Sequence, residues 1–320
     1  MAGPGYAFNG HVGLAKETSG GTAVAATNFM QAYSEDLAAS LDRFDLANIN
    51  GRYAEPDDAA GLTRVGGSIV IPGNAVDLGW FLLGALGIQS NTVVLSGFLS
   101  KHEFMPRTSD WDTKFAERPY TFTIYRDVTS AQRYAGCNVS QLQFATAPNQ
   151  DLRITAAVVG KSTAEVTAPT PSYVGSPVAP FDFSTCSISI GGSAVDFVEA
   201  LNLTFNNQLE GVPVLNASSQ ISRIRRTGPQ LVRLSGTFSF ERIEEYEDFL
   251  NQTERAININ FFKGTSFSLM FELPRFVYSA HPLGMSGRNR QTVSFDGIGR
   301  YHTGSANALK ATLYNTTSGY

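Results

Sequence analysis

Apolar and polar positions alternate with a period of two along much of the chain, which is the pattern of strands with one buried face. Leu62–Ile71 reads Leu-Thr-Arg-Val-Gly-Gly-Ser-Ile-Val-Ile, and Leu231–Phe240 reads Leu-Val-Arg-Leu-Ser-Gly-Thr-Phe-Ser-Phe. Aligned without gaps, Leu62 meets Leu231, Arg64 meets Arg233, Gly67 meets Gly236 and Ile71 meets Phe240. In both copies one face is apolar (Val65, Ile69 and Ile71; Leu234, Phe238 and Phe240), and the other carries Arg64 and Ser68, or Arg233, Ser235, Thr237 and Ser239.

The surroundings repeat as well. An apolar strand and a long polar loop precede each copy: Leu37–Phe44 with Asp45–Gly61, and Val198–Phe205 with Asn206–Gln230. Helical spacing follows over Asn74–Leu86, with Asn74 as N-cap, and over Arg242–Gln252. Later strands match as Tyr120–Tyr125 with Phe267–Glu272, and Leu152–Val159 with Gln291–Phe295. A repeat this long predicts two tandem domains of one type rather than a solenoid. In the second helix Ile243, Tyr246, Phe249 and Leu250 form the apolar stripe, and Glu244, Glu245, Glu247 and Asp248 are expected to face water.

Boundaries follow from composition. Residues 1–33, rich in Gly, Ala and Thr, read as an arm that orders only against something else. Residues 34–168 form the first domain, with 88–119 as an insertion. The proline-rich 169–180 is a linker, and 181–320 is the second domain, opening on a hairpin signalled by Gly191-Gly192.

A hydrophobic content of 42% supports two cores, and 24 basic against 28 acidic residues give a net charge of −4. That balance argues against gripping nucleic acid by phosphate neutralisation. Cys137 and Cys186 are too few for a disulfide framework and read as reduced, buried thiols. No secretory leader or long apolar span is visible at the sequence level, so no membrane association is expected. No phosphate loop, dinucleotide fingerprint, nucleophile elbow or zinc-protease motif occurs, and His11, His102, His281 and His302 lack partners at metal-ligand spacing. The expectation is a non-enzyme without cofactor or metal. Trp111, between Asp110 and Asp112, is the one candidate for a carbohydrate site and supports the alternative of a β-sandwich binding module. Charge separates the two long loops: Arg223, Arg225 and Arg226 lie in the second, and Glu55, Asp57 and Asp58 in the first. They are either unrelated solvated loops or complementary contacts between stacked subunits.

Several stretches resemble bacteriophage tail tube (major tail) proteins. Gly13-Leu14-Ala15-Lys16-Glu17-Thr18 and Gly21-Thr22-Ala23-Val24-Ala25 are similar to the N-terminal signature of that family. Leu41-Asp42-Arg43, Arg64-Val65-Gly66-Gly67-Ser68, Tyr134–Val139 and Val158-Val159-Gly160-Lys161 continue the likeness, as do Ile188–Ala194, Leu203–Leu209 and Gln291–Phe295. The resemblance implies a mainly β fold of two β-sandwich or half-barrel domains, each with a short flanking helix. Hairpins from each domain would join around a ring into an inner β-barrel. Six such folds commonly close the ring, so three two-domain chains would suffice here. It also implies a virion tail location after assembly in the host cytoplasm. Implied partners are the chain itself, the tape measure protein, the tail terminator and the distal tail protein, with DNA passing through the lumen unbound. The lumen is expected to be more negative than the outside.

Overall fold

A computed structural model describes residues 4–320 apart from 47–48, 50, 52, 55–57, 96–98, 107–118, 174–178 and 285–289. The first half runs β1 (His11–Lys16), β2 (Asn28–Met30), β3 (Ser34–Glu35), β4 (Ala38–Asp45), β5 (Asp58–Pro72), α1 (Leu78–Leu86), β6 (Gly87–Leu95), β7 (Leu99–Pro106), β8 (Tyr120–Tyr125), β9 (Ser130–Thr146), β10 (Arg153–Gly160) and β11 (Ser162–Thr167). The second runs β12 (Cys186–Ile190), β13 (Ser193–Val195), β14 (Val198–Asn206), β15 (Leu209–Val212), β16 (Arg223–Arg226), β17 (Leu231–Ser239), α2 (Glu244–Leu250), β18 (Arg255–Lys263), β19 (Phe267–Ala280), β20 (Thr292–Gly299) and β21 (Lys310–Asn315).

The pairing order recurs. In the first half β4 pairs β5, β5 pairs β10, β10 pairs β9, β9 pairs β8, and β8 pairs β1. In the second, β14 pairs β17, β17 pairs β20, β20 pairs β19, β19 pairs β18, and β18 pairs β12. All these pairs are antiparallel. By this order β8 corresponds to β18 and β9 to β19, which corrects the expected match of Tyr120–Tyr125 with Phe267–Glu272. Both regions alternate, and alternation alone does not rank one strand of a hairpin before the other.

The matched glycines occupy matched crossings. A Cβ on Gly67 would fall 2.7 Å from the carbonyl oxygen of Asp36, and one on Gly236 would fall closer still to that of Ala200. In each half the preceding strand is irregular there: β3 breaks before β4, and β14 shifts register between Val198 and Ala200. Only glycine lets the two backbones approach so closely.

The arm expected at residues 1–33 contributes two strands to the sheet. β1 lies between β2 and β8, with Val12, Leu14 and Ala15 buried. Buried Glu17 pins the turn after it, accepting bonds of 2.7 Å from Thr121 Oγ1, Gly136 N and Gly21 N. Three donors replace the water that this carboxylate loses. The small residues of this segment, read as disorder-prone, are those that tolerate close packing.

Both helices start later than expected. α1 begins at Leu78, because the Asn74 side chain accepts from Val76 N at 2.9 Å and makes a local turn instead of a cap. In α2 the expected faces are partly inverted. Glu245 and Asp248 are buried and held by Arg242 and Arg255, whereas Ile243 and Leu250 are 44% and 60% exposed. Arg242 reaches Glu245 from one turn away, and Arg255 reaches Asp248 from the following strand, beyond the helical stretch. Cys137 is buried and Cys186 half-buried, both free. Burial pushes the Cys186 thiol up to about 12.

Candidate assembly interface

β4 and β14 are the same strand in the two halves, and they differ in what lies beside them. β14 is hydrogen-bonded on both sides: to β17, and along Leu201–Asn206 to Gln141–Thr146 of β9 in the first half. The sheet therefore crosses from one half to the other without a break. Alternation puts Leu201, Leu203 and Phe205 into the core. Asn207 seals the end of this seam. Fully buried, it donates through Nδ2 to Ala85 O at 2.7 Å and Val139 O at 3.2 Å, and its backbone N–H reaches Ser140 O at 2.7 Å. The expected loop opens at Asn206, but Asn206 ends β14 and Asn207 is a buried anchor, marked in the sequence only by the Asn pair at the strand's end.

β4 pairs only β5 among the described strands, and all eight of its residues are exposed. Leu41 and Phe44 are 49% and 54% exposed, and Ile49 and Tyr53 toward the tip are fully so. The hairpin is braced by surface ion pairs, Arg64–Asp42 at 2.9 Å and Arg43–Asp58 at 2.8 Å, of the kind worth ~0–1 kcal/mol each. A strand of this length with a bare edge is a pairing template, which folded proteins cover or blunt.

A second seam joins the halves through β7 and β21. β6 and β7 form a hairpin, and β7 pairs the C-terminal strand β21 along Ser100–Phe104 and Ala311–Asn315. β21 also pairs β19. Buried His102 places Nε2 3.0 Å from both Asn315 Oδ1 and Thr317 O, and Tyr320 donates to Val76 O at 2.8 Å beside α1. Glu103 lies 2.9 Å from both Lys310 and Lys101, and these contacts hold its carboxyl at about 2, well below the usual range.

The six charged residues singled out above are placed unevenly. Arg223, Arg225 and Arg226 lie on β16, which pairs β15 with Arg225 opposite Glu210. The loop before β16 is tied to the β4–β5 hairpin through Thr63 N–H to Ser219 O at 2.7 Å. Asp58 is engaged by Arg43 of its own hairpin. Glu55 and Asp57 lie outside the described residues, as do Asp110, Trp111 and Asp112.

The face of the continuous sheet opposite the core residues carries half-buried amides and hydroxyls, among them Gln141, Gln143, Thr155, Asn202, Thr204 and Ser235. Its Arg233 is gripped by Asp296 through bonds of 2.5 and 2.7 Å. Partial burial opposes ionisation of Asp296, but the bonds from Arg233 and Ser279 outweigh it and lower its pKa.

An open, two-part β-sheet with one seam closed internally and an equivalent strand left bare defines a self-assembling structural subunit. The family model for phage tail tube proteins matches residues 7–299, nearly the whole chain, and the chain belongs to that family. Among curated proteins none matches the sequence. Family membership gives the chain a structural role in the virion tail, through self-association into a tube with other tail proteins.

Proposed function

We propose that the chain is the major tail tube subunit of a tailed bacteriophage, in which three copies close a pseudo-sixfold ring and stacked rings form the channel through which viral DNA leaves. The observation that carries this reading is the β9–β14 seam: one chain already contains one finished junction and one unfinished copy of it at β4. Three chains then supply three internal and three external junctions, and a heterologous contact of this kind closes when its rotation closes. The halves act as tandem copies of the tube fold, 34–168 and 181–320, with the linker at 169–180; β1 and β2 belong with the first. The polar sheet face lines the lumen, where paired charges and neutral amides give DNA no array of free cations to hold. The tape measure protein occupies the channel during assembly, and the terminator and distal tail proteins meet the ends.

Stacking uses Arg223, Arg225 and Arg226 on one ring against Glu55, Asp57 and Asp58 on the next. The triple substitution of these arginines by glutamate is expected to give folded chains that form rings without growing tubes; tubes of wild-type length would remove the stacking contact. Negative-stain microscopy of concentrated protein tests the whole reading. Long hollow cylinders are expected, and a chain that stays monodisperse at high concentration contradicts it.

A further inference from the structure

The two halves carry corresponding grooves, and only one of them has the other half's hairpin in its wall. In each half a short hairpin, β1–β2 or β12–β13, runs directly into the first strand of the pair that holds the polar loop. Val12 opposite Met30 in the first half matches Ile188 opposite Val195 in the second. In the second half the corner between β13 and β14 forms a groove of about 310 Å³, and Thr146, Ala147 and Pro148 supply one wall. Those three residues end β9 and begin the β9–β10 turn of the first half. The internal seam thus consists of a strand pairing plus a turn seated beside a hairpin corner.

The corresponding corner in the first half is larger. A groove of about 700 Å³ runs between β2 and β3, lined by Val12, Met30, Gln31, Ala32, Ser34 and Glu35. Phe8 stands on its rim, 82% exposed. His11 also lines it and is nine-tenths buried; its Nε2 has no hydrogen-bond partner among the described residues. Burial lowers the pKa of this imidazole against the opposing bond to the Pro169 backbone, and in the neutral ring that bond leaves Nε2 to accept an N–H. An unmade bond on a buried acceptor is costly, so its partner is to be sought in the assembly.

We propose that this groove receives the β19–β20 turn of a neighbouring copy, the counterpart of the β9–β10 turn. The inference rests on the ring reading above and adds the surface that sets the register of the external junction. The turn leaves β19 through Pro282, Leu283 and Gly284, and returns through Arg290 and Gln291. Leu283, 39% exposed in the isolated chain, would then cover the exposed Phe8 rim, and a backbone N–H of the docked segment would reach His11 Nε2.

Paired cysteines test this directly. In full-length Ala32→Cys/Leu283→Cys, oxidised after assembly, the expected result is disulfide-linked dimers and trimers on non-reducing gels, with none in either single variant. The native thiols give little background, because burial raises the pKa of both Cys137 and Cys186. Normal rings by microscopy with no linked species, for this pair and for Gln31→Cys/Gly284→Cys, would overturn the docking while leaving the tube reading intact. Linkage within single chains at high dilution would overturn it too. Wild-type protein that never forms rings would overturn both. Ala32→Trp, an exposed position, is expected to lower ring yield at least ~tenfold, the effect of losing one interface hot spot, with an unchanged melting temperature; unchanged ring yield contradicts the proposal.

Discussion

β14 and β4 are one strand in two states of completion. They stand at the same place in the pairing order, precede the same glycine-containing strand and start from the same irregular crossing. One is sandwiched between two partners with its apolar residues at the core; the other has one partner and every residue exposed. The difference is therefore not one of strand propensity. It measures what a neighbour contributes, and β14 is the template for what β4 becomes when it has one.

The sharpest way to break the comparison is proline. Every backbone N–H in the paired part of β14 belongs to one of its two ladders, so Leu203→Pro removes a bond whichever way that N–H points, and costs ~3 kcal/mol or more. Leu41→Pro in β4 is expected to leave the dispersed chain folded and to abolish rings. Circular dichroism melts and negative-stain images of the two variants check this, and equal melting points would remove the asymmetry. Next in size is the aromatic pair. Phe205→Ala empties a fully buried site and is expected to destabilise the chain by about 3–5 kcal/mol, whereas Phe44→Ala is expected to change monomer stability by less than ~0.5 kcal/mol while weakening assembly. Denaturant titrations distinguish them.

Asn207→Ala sharpens the internal seam. It strands the carbonyls of Ala85 and Val139, at a cost of about 1–3 kcal/mol, and amide exchange is expected to rise along β9 and β14 before elsewhere. The β7–β21 seam has a pH signature. The Glu103 carboxyl is held at about 2 in the folded chain against an ordinary 4.5. Because the folded value is depressed, its contribution is complete above pH 4.5 and is lost as pH falls from there toward 2. Glu103→Gln is expected to flatten the melting-temperature profile across that window. A small structural effect is also expected of Asp296→Asn. It uncouples a surface pair worth ~1 kcal/mol or less but frees Arg233 on the polar sheet face. Tubes of this variant are expected to retain DNA at low salt and release it as salt rises, and filter binding measures the change.

Much of this was legible from residues alone. The Leu62–Ile71 and Leu231–Phe240 alignment located β5 and β17, their buried faces and the shared glycine, because period-two alternation reports burial directly. The order of the remaining strands was less legible: β8 and β9 alternate equally well, and hydrogen-bond order decides which corresponds to which. Residues 11–30 were misread because small residues signal flexibility in composition but close packing in three dimensions, with Glu17 as the anchor. The acidic face of α2 was misread because its countercharges come from Arg242 and Arg255. The assembly surface was half legible. The hairpin arms were visible as long loops between matched strands, but a bare edge is a property of pairing, and no single segment encodes it. The same holds for the seam through β7 and β21, which joins residues some two hundred positions apart in the chain.

The most direct test is a density map of the assembled tube at a resolution that traces strands. Three chains per ring are expected, with the outer edge of β4 hydrogen-bonded to the second half of the adjacent copy as β14 is to β9. Six whole chains per ring, or a β4 edge left facing solvent, would contradict the account.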